Sequence, residues 1–154
     1  MRRRTTAARA GLAASLLYMC ALVAGCTPEP AIRISEARAP ATPPGASVGA
    51  AYLTIQVHEP DTLLGASTPV AQSVEIHQTA IEEGIARMRK LENVPLEARE
   101  PARFEPGGTH FMLLGLAAPL AEGESFPLTL RFERAGELQV QTSVVAPDAA
   151  HAHH

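Results

Sequence analysis

From residue 31 onward, apolar and polar positions alternate in short runs. Residues 31–38 (AIRISEAR) alternate well enough to predict a first strand, placed at a sheet edge because Pro40 follows and proline cannot donate to a ladder. Residues 49–57 (GAAYLTIQV) are strand-like, and residues 61–66 form a short apolar strand. In residues 73–79, Val74 and Ile76 alternate with Glu75 and His77. In residues 85–91, Ile85, Arg87, Arg89 and Leu91 alternate with Ala86, Met88 and Lys90. Residues 109–116 are apolar, and residues 127–133 (PLTLRFE) and 137–145 (ELQVQTSVV) alternate again. Turn signals separate these runs: Glu82-Glu83-Gly84, Pro106-Gly107-Gly108 and Ala135-Gly136. No long 3.6-residue period interrupts them. Short strands at regular spacing predict an all-β sandwich or barrel. Sparse aromatics predict a core of Leu, Val, Ile, Ala and Phe, and about 115 folded residues suffice for one such core.

The first 26 residues follow a different pattern. Arg2, Arg3, Arg4 and Arg9 precede the apolar stretch 11–23 (GLAASLLYMCALV), which is too short to span a bilayer comfortably. It ends in small residues before Cys26 (LVAGC). This resembles the lipobox of bacterial lipoproteins. The resemblance implies a signal peptide over residues 1–25, cleavage before Cys26, and lipidation of that residue. Several acyl chains give stable anchoring where one is marginal. Thr27 rather than Asp follows Cys26, which by resemblance to bacterial sorting rules favours the outer membrane over the inner, facing the periplasm. Residues 26–30 then read as a tether, 31–146 as the folded domain, and 147–154 as a disordered tail.

Cleavage changes the composition. The full chain of 154 residues carries net charge −3, but nine basic residues face sixteen acidic ones after the cut, giving −7. The full chain's mild charge and pI near 6.1 already argue against a nucleic-acid surface, which needs a basic stripe. Cys20 is lost and Cys26 is capped by lipid, leaving no free thiol and no internal disulfide. Met88 and Met112 become the only methionines.

Each methionine sits at a spacing that pairs it with a histidine on one face. His110 and Met112 are two apart in a strand and share a face. His77 and Met88 flank the hairpin at residues 82–84. A turn centred between Glu82 and Glu83 sets His77 opposite Met88. One centred between Glu83 and Gly84 sets His77 opposite Lys90, with Met88 as its diagonal neighbour. Both registers keep His77 and Met88 on one face. Two thioethers and two imidazoles without a carboxylate suit Cu(I). Calcium and magnesium want oxygen ligands, and a blue-copper site needs a cysteine thiolate. The competing reading makes the methionines core gap-fillers and the histidines ordinary half-buried residues.

The spacing His77–Met88–His110–Met112 resembles that of the PCuAC family of periplasmic copper(I) chaperones. The surrounding segments agree: residues 41–52 (ATPPGASVGAAY), 74–77 (VEIH), 84–89 (GIARMR), 106–116 (PGGTHFMLLGL) and 127–133 (PLTLRFE). The resemblance implies a cupredoxin-like, Ig-like Greek-key β-sandwich binding one Cu(I) through the four residues. It also implies delivery of copper to the CuA subunit of cytochrome c oxidase or to another copper chaperone, by a monomer. Thr79 and Ala86 stand where many relatives carry further methionines, and the loop at His58-Glu59-Pro60 looks shortened.

Other features are weaker. His151, His153 and His154 in the tail are candidate Cu(II) ligands. Arg87, Arg89 and Lys90 form a basic cluster beside Met88, either solvated charges or a docking patch for an acidic acceptor. No nucleophile–base pair, P-loop or paired-carboxylate site stands out, so no enzyme is expected. Copper buffering or resistance, and a metal-free Ig-like scaffold lipoprotein, are the rival functions. Imidazole binds a metal only when neutral, so affinity should weaken below the ordinary histidine value of about 6.5.

Overall fold

A computed structural model describes residues 31–147 apart from Glu83. The signal segment, Cys26 and the histidines of the tail lie outside the described residues. Ten strands make up the fold: β1 (Ile32–Pro40), β2 (Val48–Val57), β3 (Asp61–Ser67), β4 (Ala71–Glu82), β5 (Ile85–Leu91), β6 (Val94–Leu96), β7 (Ala102–Phe104), β8 (Thr109–Leu116), β9 (Ser125–Phe132) and β10 (Gly136–Val145). Hydrogen bonding runs β5-β4-β8-β2-β1-β10-β9-β3-β6, with β7 also on β2.

β2 joins two layers. Residues 48–51 pair with β8, and residues 52–57 pair with β1. Apolar side chains from both layers meet in the middle. Ile76, Phe111 and Leu113 come from β4 and β8; Leu63, Leu128, Leu130 and Phe132 come from β3 and β9. The composition expected for the core is the one observed. All four phenylalanines are buried, and Phe104 stacks on Phe111 with ring centroids 4.6 Å apart.

β1 corrects the expected edge strand. It lies inside the sheet, antiparallel to β2 along residues 32–35 and parallel to β10 at Arg38–Pro40. An irregularity between Ser35 and Arg38, with Glu36 at φ 58°, shifts the register on β2, and from Arg38, which pairs with both Tyr52 and Ser143, β1 also joins β10. Pro40 is tolerated because it is the last residue of the strand. β6 and β7 gave no periodicity because each has three residues. Pro95 sits in β6, the terminal strand of the order, as proline should.

The β9–β10 hairpin places Phe132 opposite Gly136, whose φ of 76° suits the left-handed end of a three-residue loop. Asp61 braces this turn from β3. Its Oδ1 accepts from the Thr62 and Arg134 amides at 2.7 and 2.9 Å, and its Oδ2 from the Ala135 amide at 3.0 Å. Burial pushes the carboxyl upward, but these three amides and the Arg134 charge outweigh it, leaving it below its ordinary value. Asp61→Ala is expected to cost about 1–3 kcal/mol through the lost charge-assisted bonds. A depressed carboxyl stabilises fully above its unfolded value, about 3.9, and the benefit disappears as pH falls through the folded value. Urea unfolding at neutral pH should therefore separate the variant from the wild type, and the gap should close in acid. A constant gap across that range would contradict the assignment.

Candidate functional site

The pairing of β4 decides which face carries the donors. Ile76 is opposite Phe111, and both point into the core. The next pair along, His77 and His110, therefore points away from it. Their rings lie 6.2 Å apart, centroid to centroid, at 43°.

The β4–β5 hairpin takes the second of the two expected registers. His77 is opposite Lys90, and Met88 is opposite Thr79. Glu82 closes on Ile85, so the turn is centred between Glu83 and Gly84. Gly84, at φ 79°, supplies the left-handed residue such a turn needs. Met112 is opposite Glu75. All four donors thus share the outer face of β5-β4-β8. The histidine pair lies at its centre, and the two thioethers flank it on opposite diagonals. On a flat sheet this register separates the Met88 and Met112 α-carbons by about 16 Å. Both sulfurs reach one ion only where the sheet coils toward the donor face.

Neither methionine belongs to the core. Met88 is 55% exposed and Met112 half-buried. His77 is half-buried and His110 is buried at 7%. Among the described residues, no group of three or more His, Cys, Asp or Glu could hold a metal ion.

Hydrogen bonds fix the tautomers. His77 Nε2 lies 2.8 Å from Glu75 Oε2. An ionised carboxylate only accepts, so Nε2 carries a proton, and in the neutral ring Nδ1 keeps its lone pair. That Nδ1 is buried and has no hydrogen-bond partner among the described residues. His110 Nδ1 donates to the Gly108 carbonyl at 3.1 Å, which leaves its Nε2 lone pair free of that bond. A buried acceptor without a partner is costly. A soft cation at the His77 Nδ1 would satisfy it, so the imidazole pair fits Cu(I) by position and the thioethers fit it by softness.

Glu75 was absent from the expected site, although its spacing of two from His77 put it on the same face. Its other oxygen accepts from Lys90 Nζ at 3.0 Å. The His77 and Lys90 hydrogen bonds hold the Glu75 carboxyl below its ordinary value, and Glu75 in turn raises the Lys90 ammonium. The basic cluster beside Met88 is divided by the pleat. Lys90 stays on the donor face. Arg89 lies on the opposite face, where Nε and Nη2 donate to Gln78 Oε1 at 3.1 and 2.7 Å. Arg87 shares that opposite face, so the three do not form one docking patch. His58 lies in the exposed β2–β3 loop.

Fold and site together define a β-sandwich that presents soft donors on one outer face. The chain belongs to the LpqE-like lipoprotein family: the model described as "Putative lipoprotein LpqE-like" matches residues 32–144. A relative from Leifsonia xyli subsp. xyli, also named as a lipoprotein, is 35% identical over 71 residues, 46% of this chain. The match spans 43% of that relative's length. Among solved structures, a copper-bound PCuAC domain from PmoF2 superposes with a TM-score of 0.64 at 24% identity, covering 77% of this chain and 95% of that one. The solution structure of CuI-DR1885 from Deinococcus radiodurans gives 0.62 at 32% identity, covering 79% and 83%. The fold is the cupredoxin-like, Ig-like sandwich of PCuAC domains. Among the described residues, no helix is long and apolar enough to cross a membrane.

Proposed function

We propose that the protein is a Cu(I)-binding metallochaperone of the cell envelope, anchored by lipid at Cys26. His77, Met88, His110 and Met112 hold one Cu(I) as cargo. The observation that carries this reading is the buried, unpartnered Nδ1 of His77 beside the His110 ring, on a face that also bears the two methionines. The copper-bound state named for the PmoF2 and Deinococcus structures supports it.

Four neutral ligands suit transfer. Thioethers need no deprotonation before binding, and none of the donors brings charge that would trap the ion. Met88 is the most exposed of the four, so an incoming ligand of a receiving site meets it first. Release then proceeds by exchange of one ligand at a time. The proposed recipient is the CuA subunit of cytochrome c oxidase or another copper chaperone, reached from a lipid-anchored position at the outer membrane.

Titrating the full chain with Cu(I) against a competing chelator should reveal one tight site. X-ray absorption of that complex should show mixed sulfur and nitrogen neighbours. A nitrogen- and oxygen-only shell, or no stoichiometric copper, would sink the assignment. Gene deletion separates delivery from buffering: delivery predicts low oxidase activity at limiting copper, whereas buffering predicts lost copper tolerance with normal oxidase.

A further inference from the structure

We propose that Glu75 is a positioning residue of the cargo site: it locks His77 as the Nε2–H tautomer, so that His77 binds Cu(I) through Nδ1 while His110 binds through Nε2. The proposal rests on the reading of this face as a Cu(I) site and deepens it.

Strand geometry brings the two groups together. Glu75 and His77 are two apart on β4, so both stand on the donor face. The carboxylate has two oxygens, and each has one partner. Oε2 accepts a hydrogen bond from His77 Nε2 at 2.8 Å, and Oε1 accepts one from Lys90 Nζ at 3.0 Å. Lys90 comes from β5, directly opposite His77. Its ammonium ties down the carboxylate oxygen that His77 does not use. The same pairing argues against Glu75 as a ligand. Both of its oxygens are engaged, and Cu(I) prefers softer donors.

The consequence is an asymmetric histidine pair. Glu75 occupies Nε2 of His77, and the Gly108 carbonyl occupies Nδ1 of His110. One ring is left with Nδ1 and the other with Nε2. In metal sites such outer partners fix ring orientation and raise ligand basicity, and their loss typically weakens binding 10–100-fold. The Gly108 contact is backbone and survives substitution. The Glu75 contact is a side chain and can be removed.

The test uses the full chain in detergent with nitrogen-15 in its histidines. Long-range proton–nitrogen spectra are recorded without metal and with one equivalent of Cu(I). Expected without metal is a His77 that is protonated at Nε2. With Cu(I), His77 should shift at Nδ1 and His110 at Nε2. Glu75→Ala should mix the His77 tautomers and lower Cu(I) affinity about 10–100-fold. Glu75→Gln keeps an amide oxygen that can accept from Nε2–H, so it should restore the tautomer and most of the affinity. A Cu(I)-induced shift at His77 Nε2, or wild-type affinity in Glu75→Ala, overturns the positioning role and leaves the copper site standing. Absence of stoichiometric Cu(I) binding in the wild type overturns the copper reading itself. The metal-free spectra still judge the tautomer lock in that case, and a His77 protonated at Nδ1 defeats it.

Discussion

Replacing both imidazoles, His77→Ala with His110→Ala, is expected to abolish tight Cu(I) binding while the sandwich stays folded. Both side chains stand on the outer face and neither belongs to the hydrophobic core built around Ile76 and Phe111, so that core keeps its packing when they are removed. The loss should exceed the 10–100-fold effect typical of outer partners, because the ligands themselves are gone. Single His→Ala variants should each cost at least about 100-fold on the same comparison. The thioether variants should lose less. Met88 is more exposed than Met112 and sits on the hairpin, so Met88→Ala should chiefly speed copper release. Competition titrations and stopped-flow transfer to a chelator measure both effects. Unchanged affinity in Met88→Ala and in His110→Ala would show that the ion sits elsewhere.

Phe111→Ala should instead destabilise the whole fold, by about 3–5 kcal/mol. Phe111 is fully buried, the largest such side chain, and stacks on Phe104. It also lies between His110 and Met112 on β8. Packing of this one ring into the core is what turns its two neighbours outward together. Denaturant unfolding should show the large loss, and Cu(I) affinity should fall with it as β8 loosens. A loss under about 1 kcal/mol would mean that the ring is not the keystone its burial implies.

These two variants act on opposite faces of one strand pair, and the sequence showed the two faces unequally well. The alternation of β4, β9 and β10 was legible because a half-buried strand must repeat every two residues, whereas β5, exposed on both faces up to Leu91, was marked by its place after the turn at Gly84. The candidate donors stood out because the chain after Cys26 holds only two methionines, each spaced to share a face with a histidine. β1 was misplaced at an edge because alternation reports which face is buried and says nothing about lateral neighbours. β6 and β7 were missed because three residues carry no measurable period. The basic run at residues 87–90 looked like one patch, yet the pleat sends Arg89 one way and Lys90 the other.

Glu75 shows the limit most clearly. The spacing to His77 is plain in the sequence, but spacing cannot say that a carboxylate touches an imidazole at 2.8 Å or that Lys90 arrives from the next strand. The sequence by itself determined the strand periods and the all-β class and singled out four soft side chains as candidate donors, because those follow from local alternation and residue chemistry. Only the tertiary structure decided between the two hairpin registers, set His77 against His110, and left Nδ1 of one and Nε2 of the other as the available nitrogens. Register depends on how distant strands pack their apolar faces together, and that balance is struck across the sheet rather than along the chain.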